Sequence, residues 1–338
     1  MSKIRNTFVR LLDVLWREPK FMWKYYKAVL VPPSNEGNSI DGQRAGVAPL
    51  YVFRVDGRMG HGGMFDRLKG LVSIYSVAKS QGKPFRILFT YPFRLETYLE
   101  PRDYDWRLRE GELVERFPKS RPVIAYGECY APSRIFKNRR RQTHFYYGYN
   151  SLDKINEHFG TDYEWGMLYH ELFKPTPYLQ QYLDHYQKEI GSDYIAIHTR
   201  FLNLLGDKTE VSINPELPIE KRQSYMQRIV LEIQHVIENN GQRVMIASDS
   251  MTFIDFVKGK NPNVYVVPGT VKHIDTAGMT DDSENIKMFM DYYLIGGAKK
   301  VYNIVGPGMW PSAFPEYAAK IGQTEFERIM VDDMNLNQ

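Results

Sequence analysis

The chain has 338 residues, 43% hydrophobic and 25% charged, enough for two domains with separate cores and too apolar for a disordered or fibrous protein. Its single cysteine, Cys129, excludes an internal disulfide framework, and no Cys/His cluster has zinc spacing, so a reducing intracellular compartment is expected. The formal charge of +4 is concentrated at the amino end, where Lys3, Arg5, Arg10, Arg17, Lys20, Lys24 and Lys27 outweigh Asp13 and Glu18; the remainder is near neutral, and no nucleic-acid partner is expected.

In chain order, Ile4, Phe8, Leu11, Leu12 and Leu15 fall on one stripe of a basic amphipathic helix, with Trp16, Phe21, Met22 and Trp23 close behind. Two readings stay open for it: a helix lying on an anionic membrane surface, or one packed on its own domain. No stretch approaches about 20 apolar residues and no signal-peptide pattern is present, so the expected location is cytoplasmic; it is peripheral at the inner face of a membrane on the first of the two readings of the helix. The polar run Ser34 to Arg44 reads as a linker. Pro49 to Val55 then predicts a strand, Gly57 to Gly63 a glycine-rich loop, Met64 to Lys79 a helix ended by Gly82, and Phe85 to Phe89 a strand, which together make a βαβ unit. Pro122 to Tyr126 predicts a further strand. Lys137 to Arg141 is the densest charge run and reads as a solvated loop, with a phosphate or lipid contact as the alternative.

From Asn150 to Ile190 the pattern is helical with a break near Lys174 to Pro177. A second alternating series follows: strand Tyr194 to His198, helix Pro218 to Asn239, strand Arg243 to Ala247, a helix capped by Ser250, strand Val264 to Val267, helix Glu284 to Leu294, strand Lys300 to Ile304 and helix Trp310 to Ile321. Two α/β series joined by a helical segment predict two Rossmann-like halves.

Three segments fall at the carboxyl ends of predicted strands, where open α/β sheets place ligands. The first is Gly60-His61-Gly62-Gly63-Met64-Phe65-Asp66-Arg67, whose glycines let backbone amides approach a phosphate at a helix start, although such turns are often merely tight. Asp66 suits the helix dipole with or without a chemical role. The second, Ile195-Ala196-Ile197-His198-Thr199-Arg200, puts His198 and Arg200 on the same face of a strand end. An imidazole can bond a base or ribose there, and a guanidinium can bridge diphosphate oxygens and neutralise a departing diphosphate, the task a metal performs in other transferases. The third runs from Asp291 to Gly306-Pro307-Gly308-Met309-Trp310-Pro311-Ser312-Ala313-Phe314. A carboxylate accepts from both the N1 and N2 donors of guanine, a pair that adenine lacks, so Asp291 favours GDP over ADP; the competing reading is a solvent-facing helical acid. Asp249, at another strand end, either lines the cleft or caps the next helix.

In this order the motifs resemble those of the α1,2/α1,6 and protein O-fucosyltransferase superfamily, over roughly Tyr51 to Ile321. The resemblance implies a GT-B-like fold, two Rossmann-like domains facing across a cleft: 1–47 a basic helix and linker, 48–190 an acceptor-side domain with its helical connection, and 191–338 a domain binding a GDP-sugar. It implies donor-nucleotide contacts from His198, Arg200, Asp291, Gly62, Gly63, Ser312 and Phe314. The sequence departs from the family pattern at Phe201, where many relatives have a second arginine, and at Ala313, where they have a second serine, which marks a divergent bacterial member.

The activity implied is inverting, metal-independent transfer of fucose from GDP-fucose to a glycan acceptor, with no cofactor beyond the GDP-sugar. Arg200 is the leading catalytic residue, and Glu210, Asp207 and Asp66 are candidate general bases. The alternatives are a GT-B transferase using another nucleotide sugar, GDP-mannose or ADP-heptose, and a membrane-surface interaction protein that has lost catalysis.

Overall fold

The computed structural model describes residues 49–59, 62–115, 119–125, 133–146, 148, 150–207, 215–240, 243–269 and 282–332. The predicted N-terminal helix and linker, Cys129 and Glu210 lie outside the described residues. The chain divides into two compact units, one built from the chain up to residue 95 and from 101–173, the other from 96–100 and from residue 174 onward.

The first unit holds β1 (Tyr51–Val55), α1 (Met64–Ser80), β2 (Phe85–Phe89), β3 (Ser120–Ile124), β4 (Gln142–Tyr146), α2 (Leu152–Phe159) and α3 (Trp165–Leu172). Its four strands form one parallel sheet in the order β2-β1-β4-β3. Every residue of β1 and β4 is buried, as expected of parallel strands covered on both faces. Pro122 is accommodated because β3 lies at the sheet edge, where a missing N–H breaks no interior ladder. From β1 the chain runs to β2 on one side and later returns to β4 on the other. The sheet's topological switch therefore lies at the carboxyl end of β1, where the glycine loop begins.

A buried charge network sits beside that end. Arg54, 2% exposed, donates from Nη1 to Glu115 Oε1 and Oε2 at 2.7 and 2.8 Å and from Nε to Asp56 Oδ2 at 2.9 Å. Arg58 also bridges these acids, 3.3 Å from Glu115 and 3.5 Å from Asp56. Arg54 Nη1 lies 3.2 Å from His144 Nδ1; an arginine can only donate, so the imidazole proton is on Nε2, which donates to Gln142 Oε1 at 2.8 Å. Burial, then the guanidiniums of Arg54 and Arg58, push His144 down to about 3 from the ordinary 6.5. Because the folded state resists this proton, the stability His144 contributes is complete above pH 6.5. It is lost as pH falls from 6.5 towards 3, by roughly 1.4 kcal/mol per pH unit. Chemical denaturation of wild type and His144→Gln between pH 7 and 4 checks this: the variant should lose stability less steeply on acidification, and parallel slopes would contradict it.

The second unit holds α4 (Pro177–Ile190), β5 (Tyr194–Thr199), α5 (Ile219–Asn240), β6 (Arg243–Ser248), α6 (Met251–Lys260), α7 (Asp282–Gly296), β7 (Lys300–Val305), α8 (Phe314–Gly322) and β8 (Glu325–Met330). Its parallel sheet runs β8-β7-β5-β6. Ile195, Ile197, Ile246 and Ile304 from the strands pack with Ile229 and Ile233 of α5 in one core. The register aligns His198 with Ala247 on one side and Asn303 on the other, so the loops after β5, β6 and β7 emerge together. The chain moves from β5 to β6 on one side and later to β7 on the other, making the carboxyl end of β5 the switch point. Helices α7 and α8 touch backbone to backbone: a Cβ on Gly322 would stand 1.7 Å from the Gly296 carbonyl oxygen.

Several elements differ from their sequence expectation. Val264 to Val267 makes only a bridge, with Tyr265 bonded to Val244 and Ile246. The helix predicted from Trp310 begins at Phe314, because Gly306 to Met309 forms a turn first and Pro315 then occupies the first helical turn. Ser250 caps α6 as expected, accepting from Phe253 N at 3.0 Å.

Candidate functional site

The carboxyl end of β5 carries His198 and Arg200. His198 is 7% exposed, and its ring stacks on that of Phe314 at 5.4 Å and 29°. Asn303, wholly buried on β7, donates to the His198 carbonyl at 3.1 Å and accepts from Arg328 Nε at 3.1 Å. Arg200 accepts at its carbonyl from Trp310 N at 3.1 Å, which ties the loop after β7 to the end of β5. Its guanidinium is 24% exposed and lies 4.0 Å from Asp249 Oδ2.

Asp249 and Asp207 both accept hydrogen bonds from the loops around them. Asp249 accepts from Phe201 N at 2.7 Å and Leu202 N at 3.0 Å. Leu202 has φ 55°, a left-handed conformation costing a side-chain-bearing residue about 1–2 kcal/mol, and the two charge-assisted bonds from Asp249 offset it. Asp249 thus caps the turn that follows Arg200, while Ser250 caps α6. Asp207 supports the same helix start, with Oδ2 accepting from Ser250 Oγ at 2.8 Å and Thr252 N at 2.9 Å.

The loop from Gly306 to Phe314 is held from several sides. Met309 N donates to Gly306 O at 3.0 Å, Tyr225 OH to Pro307 O at 2.8 Å, and Arg328 Nη2 to Ser312 O at 3.3 Å. Ser312, 1% exposed, accepts from Phe314 N at 3.2 Å. Phe314 also meets Tyr292 edge-on at 5.6 Å, linking the stack to the helix of Asp291. Trp310 is 42% exposed on this fixed loop.

Asp291 is 7% exposed, so the solvent-facing reading of it does not apply. Both its oxygens accept from Lys287 Nζ, at 2.6 and 2.5 Å, and Lys287 is itself 2% exposed. Burial pushes the Asp291 carboxyl above its ordinary range while the lysine opposes that shift. Chain contacts therefore link His198, Phe314, Tyr292 and the Asp291 helix, and separately Arg200 with Trp310. Lys287 and Asn303 were missed from sequence. The i,i+4 spacing of Lys287 and Asp291 on one helix, and an asparagine inside the apolar run of β7, were the available signals.

In the first unit, Gly62 has φ 67° and its carbonyl accepts from Arg67 Nε at 2.9 Å, while Arg67 Nη1 reaches Tyr91 O at 2.9 Å. The buried arginine pins the glycine loop to the strand ends. Gly63 is the N-cap of α1, and Asp66 in the first turn pairs with Lys69 at 2.6 Å. A separate hollow of about 370 Å³, lined by Arg243, Asn261 and Asn263 among others, lies at the opposite, amino-terminal end of β6.

Two parallel Rossmann-like units, each with its switch point at the carboxyl end of a central strand, define an α/β protein of the GT-B class. No protein-family model matches the chain, and no curated protein does. Solved structures do. A mutant of Arabidopsis thaliana FUT1 in complex with GDP is 12% identical with a TM-score of 0.55, covering 97% of this chain and 80% of that one. NodZ, an α-1,6-fucosyltransferase soaked with GDP-fucose, is 16% identical with a TM-score of 0.50, covering 81% and 92%. The fucosyltransferase NodZ from Bradyrhizobium, as selenomethionine protein, gives 15%, 0.50, 80% and 91%. The chain has the fold of these fucosyltransferases.

Proposed function

We propose that the chain is an inverting, metal-independent fucosyltransferase that moves fucose from GDP-fucose to a hydroxyl of a bacterial surface glycan or lipid-linked oligosaccharide. The observation that carries this reading is the arrangement at the carboxyl end of β5. There a His198–Phe314 stack, the Arg200 guanidinium and the start of α8 stand together at the sheet's switch point. In this reading Asp291 accepts from guanine, and His198 bonds the base or ribose. Ser312, Gly62 and Gly63 bring backbone and hydroxyl donors to the diphosphate, and Arg200 stabilises the leaving GDP as the anomeric bond breaks. Glu210 and Asp66 are the proposed bases for the acceptor proton. Asp207 is spoken for by the α6 cap, and the role of Asp249 is to shape the turn behind Arg200. The N-terminal basic segment would bring the enzyme to an anionic membrane surface.

The relatives' solved complexes with GDP and GDP-fucose support the choice of donor. Calorimetry with GDP, ADP and UDP tests it: GDP should bind in the micromolar range with ADP and UDP at least about tenfold weaker. Equal affinities for the three would overturn the reading. GDP release from GDP-fucose should persist in chelator, and its loss would refute metal independence.

A further inference from the structure

We propose that Lys287 is the positioning residue that gives the nucleotide site its choice of base: it holds Asp291 as an oriented carboxylate and so selects guanine over adenine. This rests on the reading of Asp291 as the guanine contact.

A lysine at 2% exposure and an aspartate at 7% make an expensive pair to bury, and apolar residues of similar volume commonly serve stability as well or better. Helix stability does not account for the pair either, because the favourable i,i+4 orientation puts the acid on the amino-terminal side, and here the lysine precedes. What the pair does provide is a defined ionisation state. A buried carboxyl without a partner takes up a proton, and a protonated acid offers one donor and one acceptor. That is the complement of adenine, which presents N6 as donor and N1 as acceptor. An ionised carboxylate has about four lone-pair sites, of which the ammonium uses one on each oxygen, leaving acceptors for the two guanine donors. The lysine stem is itself held in place: a Cβ on Gly269 would lie 3.2 Å from Lys287 Cδ, so the chain at Gly269 packs along it.

The test measures affinities of the full chain for GDP, IDP and ADP by calorimetry at pH 7.5, with melting temperatures alongside. IDP lacks the N2 amino group and reports the second hydrogen bond. Wild type should rank GDP above IDP above ADP. Lys287→Gln should lose GDP affinity at least about tenfold and bring GDP, IDP and ADP to within about threefold of one another. A structural lysine would lower the melting temperature and leave that ranking intact, which would overturn the proposal. If Lys287→Gln does not fold, Lys287→Met/Asp291→Asn leaves no lone buried charge and serves in its place. Its preference for GDP over ADP should vanish as well, and retention of the preference would overturn the reading of Asp291 as the guanine contact and with it the proposal. A wild-type chain that binds GDP and ADP alike would instead remove the guanine reading itself, before Lys287 is considered.

Discussion

Arg200→Ala should reduce GDP release from GDP-fucose by about 10²–10³-fold in kcat while the protein melts within a few degrees of wild type. The size follows from where charge develops. In the proposed reaction the departing diphosphate gains negative charge as the anomeric carbon loses its bond to oxygen, and the Arg200 guanidinium, 24% exposed, would meet it in a partly desolvated setting. The expected neutrality towards folding follows from the neighbours. Asp249 is 4.0 Å away, but its oxygens already accept from Phe201 N and Leu202 N, so the substitution does not strand a buried carboxylate.

Arg200→Lys separates charge from geometry. A lysine keeps the positive charge but loses the planar fork that can bridge two phosphate oxygens, so it should recover only part of the lost rate. Because the proposed interaction grows as the bond breaks, the loss belongs mainly in kcat and only weakly in the affinity for GDP-fucose, whose diphosphate has not yet gained that charge. Near-wild-type turnover in Arg200→Ala would remove Arg200 from the chemistry. A variant that loses GDP-fucose affinity with kcat unchanged would reassign it to ground-state binding.

The strands that read most directly from sequence were those buried on both faces. Tyr194 to Thr199 and Lys300 to Val305 stood out because parallel strands covered on both faces read as continuous β-branched and aromatic runs. Strand β4 escaped because Gln142, Thr143 and His144 look like loop residues. They are buried by a polar network whose other members, Arg54 and Glu115, are distant in sequence. Strand β8 escaped for the opposite reason: Glu325, Glu327 and Arg328 give an edge strand the charge that keeps such edges from pairing further. At the candidate site, strand-end position was readable for His198 and Arg200, because alternation along a strand needs no tertiary information. The tie from Asp249 to the Phe201–Leu202 turn was not, since it depends on the register between β5 and β6. The commitment of Asp207 to Ser250 and Thr252 is likewise a meeting of segments more than 40 residues apart, which no local pattern encodes.

Arg54→Met should destabilise the chain by about 3–5 kcal/mol at pH 8, the cost of removing one partner from a buried ionic network. The methionine fills most of the space, so the loss is chiefly electrostatic. Glu115 forfeits two bonds, and Asp56 loses its bond from Nε and its 2.7 Å ion contact with Nη2, leaving Arg58 as the guanidinium bridging both acids. The pH dependence identifies the cause. In wild type, His144 stays neutral in part because Arg54 repels its protonated form, so acidification costs stability between pH 6.5 and about 3. Without Arg54 the imidazole faces an excess of carboxylate, and taking up a proton then restores the missing positive charge. The folded-state pKa of His144 therefore rises in the variant, and the penalty of the substitution should shrink between pH 8 and pH 5. Urea denaturation at both pH values measures it. A penalty that stays constant would mean the network is held by packing, with the ionic contacts as bystanders; a penalty that narrows by about 1 kcal/mol or more would tie Arg54, His144 and the two acids into one titrating unit beside the glycine loop.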